Sequence, residues 1–94
     1  MHREKKWTIP PECAIGKIQD SEGQVFGLMN GNPIEGTEVV LEDRDEEKID
    51  GQSWIRCTTD SNGWFAFKNP TSGRFLTAAS FSRITITGNI NALK

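Results

Sequence analysis

Apolar residues in this 94-residue chain never recur at helical spacing over a dozen positions. They fall instead in short segments, several of which alternate with polar residues. Nine glycines, four prolines and six asparagines separate these segments and supply turns. Alternation with a period of two is typical of a strand with one buried face, so the sequence predicts an all-β protein.

The length allows one domain, since a domain typically takes roughly 150 residues. We expect an N-terminal segment at residues 1–12 and a single domain at residues 13–94. Six or seven short strands separated by turns fit a two-layer β-sandwich. The predicted strands are 14–19, 24–29, 37–42, 53–59, 64–68, 74–80 and 82–87.

Segments 53–59 and 64–68 are predicted to form a β-hairpin. A three-residue loop at 61–63 with a left-handed glycine would place Asp60 opposite Trp64 and Cys57 opposite Phe67. The core face of the hairpin would then carry Ile55, Cys57, Phe65 and Phe67. The outer face would carry Trp54, Arg56, Trp64 and Lys68.

The same alternation assigns inward faces to the other strands. Val39 and Leu41 share one side of strand 37–42, and Ile84 and Ile86 point inward from strand 82–87. On strand 74–80 the inward residues are predicted to be Phe75, Thr77 and Ala79.

Four segments occur in an order that resembles the carboxypeptidase regulatory-like domain. They are residues 16–20 (GKIQD), 31–41 (GNPIEGTEVVL), 59–67 (TDSNGWFAF) and 72–75 (SGRF). The resemblance implies a seven-strand prealbumin-like (transthyretin-like) sandwich with an Ig-like Greek-key arrangement. It implies no catalytic residues, since the matching positions are structural, and such domains usually accompany a larger protein. The chain departs from the family pattern by extra residues at 21–30 and by a polar Thr77.

The charge balance argues against two classes of partner. Eleven basic and thirteen acidic residues give a net charge of −2, which provides no cationic field for nucleic acid. No apolar run approaches the roughly 18 residues of a membrane span. We expect a cytoplasmic protein if Met1 is the native start, and an extracytoplasmic one if a leader was removed.

Catalytic chemistry has few candidate residues here. The one histidine, His2, lies near the terminus, and no other general base or nucleophile pair stands out. The run 42–50 holds six carboxylates that could bind calcium or a basic partner, although a solvated loop is the favoured interpretation. The sequence therefore predicts a non-enzymatic protein without a cofactor or metal.

The predicted binding residues are Trp54, Trp64, Arg56 and Lys68 on the outer hairpin face. Exposed tryptophans anchor protein partners or stack on sugars. The main hypothesis is an accessory module that binds a protein, or a second copy, through this face or an edge strand. The alternatives are a carbohydrate-binding module and tryptophans covered by the N-terminal segment or by residues 24–29.

The two cysteines, Cys13 and Cys57, are 44 residues apart with no second cysteine or histidine near either. This spacing excludes a zinc knuckle. A disulfide between them and a pair of free thiols both remain open.

Overall fold

The computed structural model describes residues 6–58, 65–80 and 82–89 and shows two antiparallel sheets, consistent with a β-sandwich. The strands are β1 (Trp7–Thr8), β2 (Ile15–Gly16), β3 (Gln19–Asp20), β4 (Gln24–Leu28), β5 (Val39–Asp43), β6 (Trp54–Thr58), β7 (Phe65–Asn69), β8 (Arg74–Ser80) and β9 (Arg83–Thr87). One sheet has the order β1-β3-β4-β5, and the other has the order β2-β6-β7-β8-β9. A 3₁₀ turn at Met29–Gly31 is the only helical element within the described ranges. The all-β prediction is confirmed.

The predicted strand 14–19 is divided between the two sheets. Its first part, β2, pairs with β6, and β3 pairs with β4. Between them, the carbonyl oxygen of Ile18 accepts a hydrogen bond of 3.0 Å from the N–H of Phe26. One nearly continuous segment therefore belongs to both sheets and joins them at this side of the molecule.

The sheets also meet at the opposite side, beside β9. Glu38 and Thr85 form an antiparallel bridge. The N–H of Gly36 donates to the carbonyl of Ile86 at 2.9 Å, and the N–H of Ile86 donates to the carbonyl of Thr37 at 3.1 Å. These bonds pair part of the outer side of β9 with the segment just before β5, and β1 and β2 are the outer strands at the other ends of the two sheets.

The core lies between the sheets and is built around Trp54. Its buried members are Ile18, Leu28, Val39, Trp54 and Ile86, with Phe26, Phe67, Leu76 and Ile84 packed against them. The inward predictions for Val39, Phe67, Ile84 and Ile86 are therefore confirmed. Trp54 is 0% exposed, and its Nε1–H donates to the carbonyl of Phe26 at 3.1 Å.

The predicted hairpin register is wrong by one residue. Thr58 pairs with Phe65, and Arg56, rather than Cys57, pairs with Phe67. A shift of one residue moves one strand's side chains to the opposite face relative to its partner. Trp54 therefore points inward with Phe67, while Phe65, the first residue of β7, is 52% exposed. The predicted loop 61–63 lies outside the described residues.

The register was predicted wrongly because both faces of the hairpin carry apolar residues. Ile55 and Cys57 lie on one side of β6 and Trp54 on the other, so alternation alone does not choose the buried side. Trp54 offers the larger apolar surface, and its N–H reaches a buried acceptor. Burial of the indole therefore stabilises this register.

The inward prediction for β8 is also wrong. Leu76 packs against the core, and it pairs with the buried Ile86 of β9. Phe75 pairs with Thr87 and so lies on the opposite side of the sheet, where it is half-buried. Because Ile86 points inward, its cross-strand neighbour does too, and this fixes Leu76 rather than Phe75 as the core residue.

Candidate functional site

The acidic segment between β5 and β6, residues 44–53, is anchored by two buried amides. Gln52 and Asn69 are each 0% exposed, the only fully buried amide side chains in the described part of the chain. A buried amide costs several kcal/mol unless it is hydrogen-bonded, roughly 2–7 kcal/mol by transfer measurements. Both residues are therefore expected to have specific partners, and the structure shows them.

Gln52 uses all four hydrogen-bonding positions of its side chain. Its Oε1 accepts from the Nζ of Lys17 at 3.3 Å and from the backbone N–H of Asp45 at 3.0 Å. Its Nε2 donates to Oε1 of Glu42 at 3.1 Å and to the carbonyl of Asp43 at 2.9 Å. Two donors and two acceptor positions are the full capacity of this amide. Gln52 therefore holds the start of the acidic segment against β5.

Asn69, the last residue of β7, fixes the other end of the segment. Its Nδ2 donates to the carbonyls of Asp50 at 2.8 Å and Ser53 at 3.1 Å. Its Oδ1 accepts from the backbone N–H of Ser72 at 2.8 Å, which also orders the turn before β8. One side chain thus joins the acidic segment to the β7–β8 turn.

Glu42 lies across the face of β4 at Gly27. A Cβ atom at position 27 would overlap the Glu42 carboxylate. The carboxylate can occupy this position because Gly27 has no side chain. Oε1 of Glu42 accepts from Gln52, and Oε2 lies 3.8 Å from the Nζ of Lys48. Glu42 therefore connects the sheet surface to the acidic segment.

An open groove of about 700 Å³ separates this segment from the 3₁₀ turn. It is lined by Leu28, Asn30, Gly31, Glu42, Glu47, Lys48, Ile49, Asp50 and Gly51. Three carboxylates face a single ammonium group, which leaves an excess of two negative charges. Ile49 is 67% exposed although it is aliphatic. The groove therefore combines negative charge with an exposed apolar side chain on an anchored loop.

The loop prediction for residues 42–50 is confirmed for residues 44–50, where most carboxylates are exposed, whereas Glu42 and Asp43 belong to β5. What sequence analysis missed is the anchoring by Gln52 and Asn69. Gln52 has the parity of Trp54, and Asn69 has the parity of Phe67. A polar residue two positions from a core residue in a strand is expected to face the core as well. This pattern predicts a buried amide only when the inward face of the strand is already known.

The predicted outer-face residues do not form one surface. Trp54 is buried, so its predicted exposure is wrong. The guanidinium of Arg56 lies 3.7 Å from the centroid of the Phe65 ring on the same side of the sheet. Lys68 pairs with Ile55 on the other side, with Nζ 6.0 Å from the ring centroid of Phe75. Trp64 lies outside the described residues.

Glu35 forms a second polar cluster, near the ends of β8 and β9. Its Oε1 accepts from the backbone N–H of Gly88 at 2.7 Å and from Nε of Arg74 at 3.3 Å. A hydrogen bond from the Thr87 side chain is the largest cause that lowers the pKa of Glu35, followed by the bond from Gly88 and the influence of Arg74. This cluster attaches the loop before β5 to the β8–β9 pair.

The cysteines are free thiols in this structure, with Cys13 exposed and Cys57 half-buried. Within the described ranges, no group of three or more histidine, cysteine, aspartate or glutamate side chains is arranged to hold a metal ion.

Comparisons with protein families, curated proteins and solved structures find no match to this chain. The resemblance to the carboxypeptidase regulatory-like domain therefore stays a prediction. No helix in the described part of the chain is long and apolar enough to cross a membrane.

Proposed function

We propose that this chain is a non-enzymatic interaction module that binds a protein partner in the acidic groove. The observation that carries the proposal is the position of Ile49, 67% exposed beside a groove with excess negative charge, on a loop anchored by buried amides. A preorganised loop loses little conformational entropy on binding. An exposed aliphatic side chain beside an excess of negative charge can contribute to a recognition surface.

The partner that fits this groove carries a lysine or arginine next to an apolar residue. The basic group would meet Glu47 and Asp50, while the apolar residue would cover Ile49. Lys48 lies 3.8 Å from Glu42 and offsets that carboxylate, so the other two remain for the partner. A second copy docked groove to groove would bring like charges together, which disfavours self-association through this surface.

Binding through an edge strand, the other route considered for a sandwich of this kind, has less support. Of the outer strands, β1 and β2 have two residues each, and part of β9 is already paired with the segment just before β5. Pro10 and Pro11 follow β1 closely, and proline lacks the N–H that strand addition needs. Short strands and prolines are common protections against edge pairing.

Sugar stacking on Trp54 is not supported, because its indole is fully buried. Trp7 is partly exposed, but its ring packs against Phe26 with centroids 5.0 Å apart. The carbohydrate alternative would therefore depend on Trp64, which lies outside the described residues. Protein binding in the groove is the better-supported function.

We also infer that the fold is a seven-strand sandwich of the prealbumin-like class. If β2 and β3 are halves of one bent strand and β1 belongs to the N-terminal segment, seven strands remain. The bonds that tie both halves to neighbouring strands support this count. Such modules usually act as accessories to a larger protein.

Binding to an array of short peptides tests the groove. Peptides that combine lysine or arginine with an aliphatic residue are expected to bind, and acidic versions of the same peptides are not. Affinity should fall with added salt, since exposed charges are screened. The variant with both Glu47→Lys and Asp50→Lys is expected to bind the best peptide roughly tenfold less tightly, equivalent to about 1.4 kcal/mol.

The matched control is Glu22→Lys, an exposed carboxylate in the turn between β3 and β4. It should leave the affinity unchanged. Equal loss in this control would show a non-specific charge effect and overturn the groove proposal, as would an array without preference for basic peptides. Glycan binding abolished by Trp64→Ala would instead support the carbohydrate-binding alternative.

A further inference from the structure

Cys13 lies at the tip of a turn that rests against the edge of β6. The carbonyl of Pro11 accepts from the N–H of Ala14 at 3.0 Å, and Cys13 has a φ of 64°. A positive φ at the third residue is typical of a type II turn. The N–H of Cys13 points to β6 and donates to the carbonyl of Arg56 at 2.8 Å. The residue after Arg56 is Cys57.

The pairing on both sides of the turn keeps this segment beside β6. Ile15 pairs with Ile55, and Gly16 pairs with Trp54. On the other side of the turn, Glu12 and Arg56 form a parallel bridge, so Cys13 and Cys57 each follow one of the two bridged residues. The carboxylate of Glu12 accepts a 2.7 Å hydrogen bond from the hydroxyl of Thr58, and this contact holds the turn in place.

Covalent geometry limits the distance between the two residues. The Cα of Cys13 is one bond from the donor nitrogen, and the Cα of Cys57 belongs to the same peptide unit as the acceptor oxygen of Arg56. With a hydrogen bond of 2.8 Å between nitrogen and oxygen, the two Cα atoms are at most about 7 Å apart. Cα atoms joined by a disulfide are usually about 4.4 to 6.8 Å apart. This upper limit is close to that range, so the two residues are near enough for a bridge without a rearrangement of the fold.

We propose that Cys13 and Cys57 form an intramolecular disulfide by exchange with a low-molecular-weight disulfide such as oxidised glutathione. The thiolate of one cysteine attacks a sulfur of the oxidant, which breaks its S–S bond and releases one reduced thiol. The second cysteine then attacks the protein sulfur of the mixed disulfide and releases the other thiol. The protein loses two hydrogens and the oxidant is reduced to two thiols.

The disulfide would fasten the N-terminal segment to the five-stranded sheet. Residues before the turn provide β1 to the four-stranded sheet, and Glu12 forms a bridge to Arg56 of the other sheet. Each attachment involves few backbone pairs, so a covalent link there restrains a segment that is otherwise weakly held. This inference is independent of the groove and of its partner.

The test incubates the full chain with oxidised glutathione and measures intact mass, disulfide-linked peptides and melting temperature. We expect a mass loss of about 2 Da, a peptide pair linking Cys13 to Cys57, and a Tm higher by roughly 10 °C, reversed by dithiothreitol. Cys13→Ser and Cys57→Ser should each retain one bound glutathione, because the second thiol is missing.

Three results would overturn the proposal: glutathione retained on both cysteines of the unmodified sequence, disulfide-linked dimers as the main product, or a closed disulfide that lowers Tm. Peptide mapping of the unmodified chain distinguishes these outcomes even if a serine variant folds poorly.

Discussion

The indole N–H of Trp54 donates to the backbone carbonyl of Phe26 at 3.1 Å, and this bond joins the two sheets of the sandwich. Trp54 begins β6 in the five-stranded sheet, and Phe26 lies in β4 of the four-stranded sheet. The side chain predicted to face a partner thus contributes both the largest buried ring and a polar link across the core.

The first prediction separates packing from hydrogen bonding at Trp54. Trp54→Ala should lower the free energy of unfolding by about 3–5 kcal/mol, because it removes a large buried ring. Trp54→Phe keeps part of the ring but leaves the Phe26 carbonyl unpaired, so we expect a loss of about 1–3 kcal/mol. Urea denaturation with a backbone probe such as far-ultraviolet circular dichroism measures both changes.

Trp7→Phe is the matched control, since Trp7 is 42% exposed and a phenylalanine can still pack on Phe26. It should change stability by under about 1 kcal/mol. A Trp54→Phe variant as stable as the wild type would contradict a stabilising role for the bond to Phe26.

The second prediction concerns the buried amide of Gln52. Gln52→Leu is close in volume but can form none of the four hydrogen bonds, and it leaves the Asp43 carbonyl and the Asp45 N–H without their partner. We expect a loss of about 2–3 kcal/mol in the free energy of unfolding. Native-state hydrogen exchange should also show faster exchange at the amide of Asp45.

Gln24→Leu provides a control for the change in polarity, because Gln24 is only half-buried. It should leave exchange at Asp45 unaltered. Unchanged protection of the Asp45 amide in Gln52→Leu would mean that the acidic segment is held by other contacts, and the support for a preorganised groove would be lost.

The approximate strand positions could be predicted because turn residues and alternation are local signals. Residues 74–80 form a strand as predicted, and Val39 and Ile86 face the core. The hairpin register depends instead on which of two apolar faces is buried. Trp54 settles that choice through an acceptor on a distant strand, and local alternation contains no information about it.

The candidate site was less predictable than the fold. The sequence predicted that the acidic run forms a loop. The groove depends in addition on Gln52 and Asn69, whose hydrogen bonds hold the two ends of this loop against the sandwich. Both bonds reach backbone carbonyls, which every residue possesses. Sequence shows that a buried amide needs partners but does not identify which carbonyls provide them.

The third prediction tests the close approach between Gly27 and Glu42. Gly27→Ala would place a methyl group where the Glu42 carboxylate lies, so that side chain must move away from Gln52. We expect a loss of about 1–3 kcal/mol, in the range for overpacked sites. In a Glu42→Ala background the same substitution should cost much less, because the overlapping group is gone.

Denaturation of the two single variants and the double variant forms a thermodynamic cycle for this contact. A coupling energy near zero would show that Gly27 is required for another reason. Gly51→Ala offers a comparison, since a Cβ there would meet its nearest neighbour, the Gly31 Cα, at an ordinary 3.7 Å.

The fourth prediction concerns pH and Glu35. Hydrogen bonds from Thr87 and Gly88, together with Arg74, lower the pKa of Glu35 below its ordinary value of 4.5. A carboxyl group whose pKa is lower in the folded state stabilises the fold fully above the unfolded value and loses this contribution as pH falls through the folded value. Stability should therefore decline below about pH 4.5.

Glu35→Gln isolates this effect, because the amide oxygen can still accept from the Gly88 N–H while the charge is removed. The variant should be less stable than the wild type at pH 7, and the two urea midpoints should converge as pH falls below the folded pKa. Glu22→Gln, in an exposed turn, is the control and should follow the wild type at every pH. A constant gap between wild type and Glu35→Gln from pH 7 to pH 3 would contradict the argument, because the lost stability would then not depend on ionisation of Glu35.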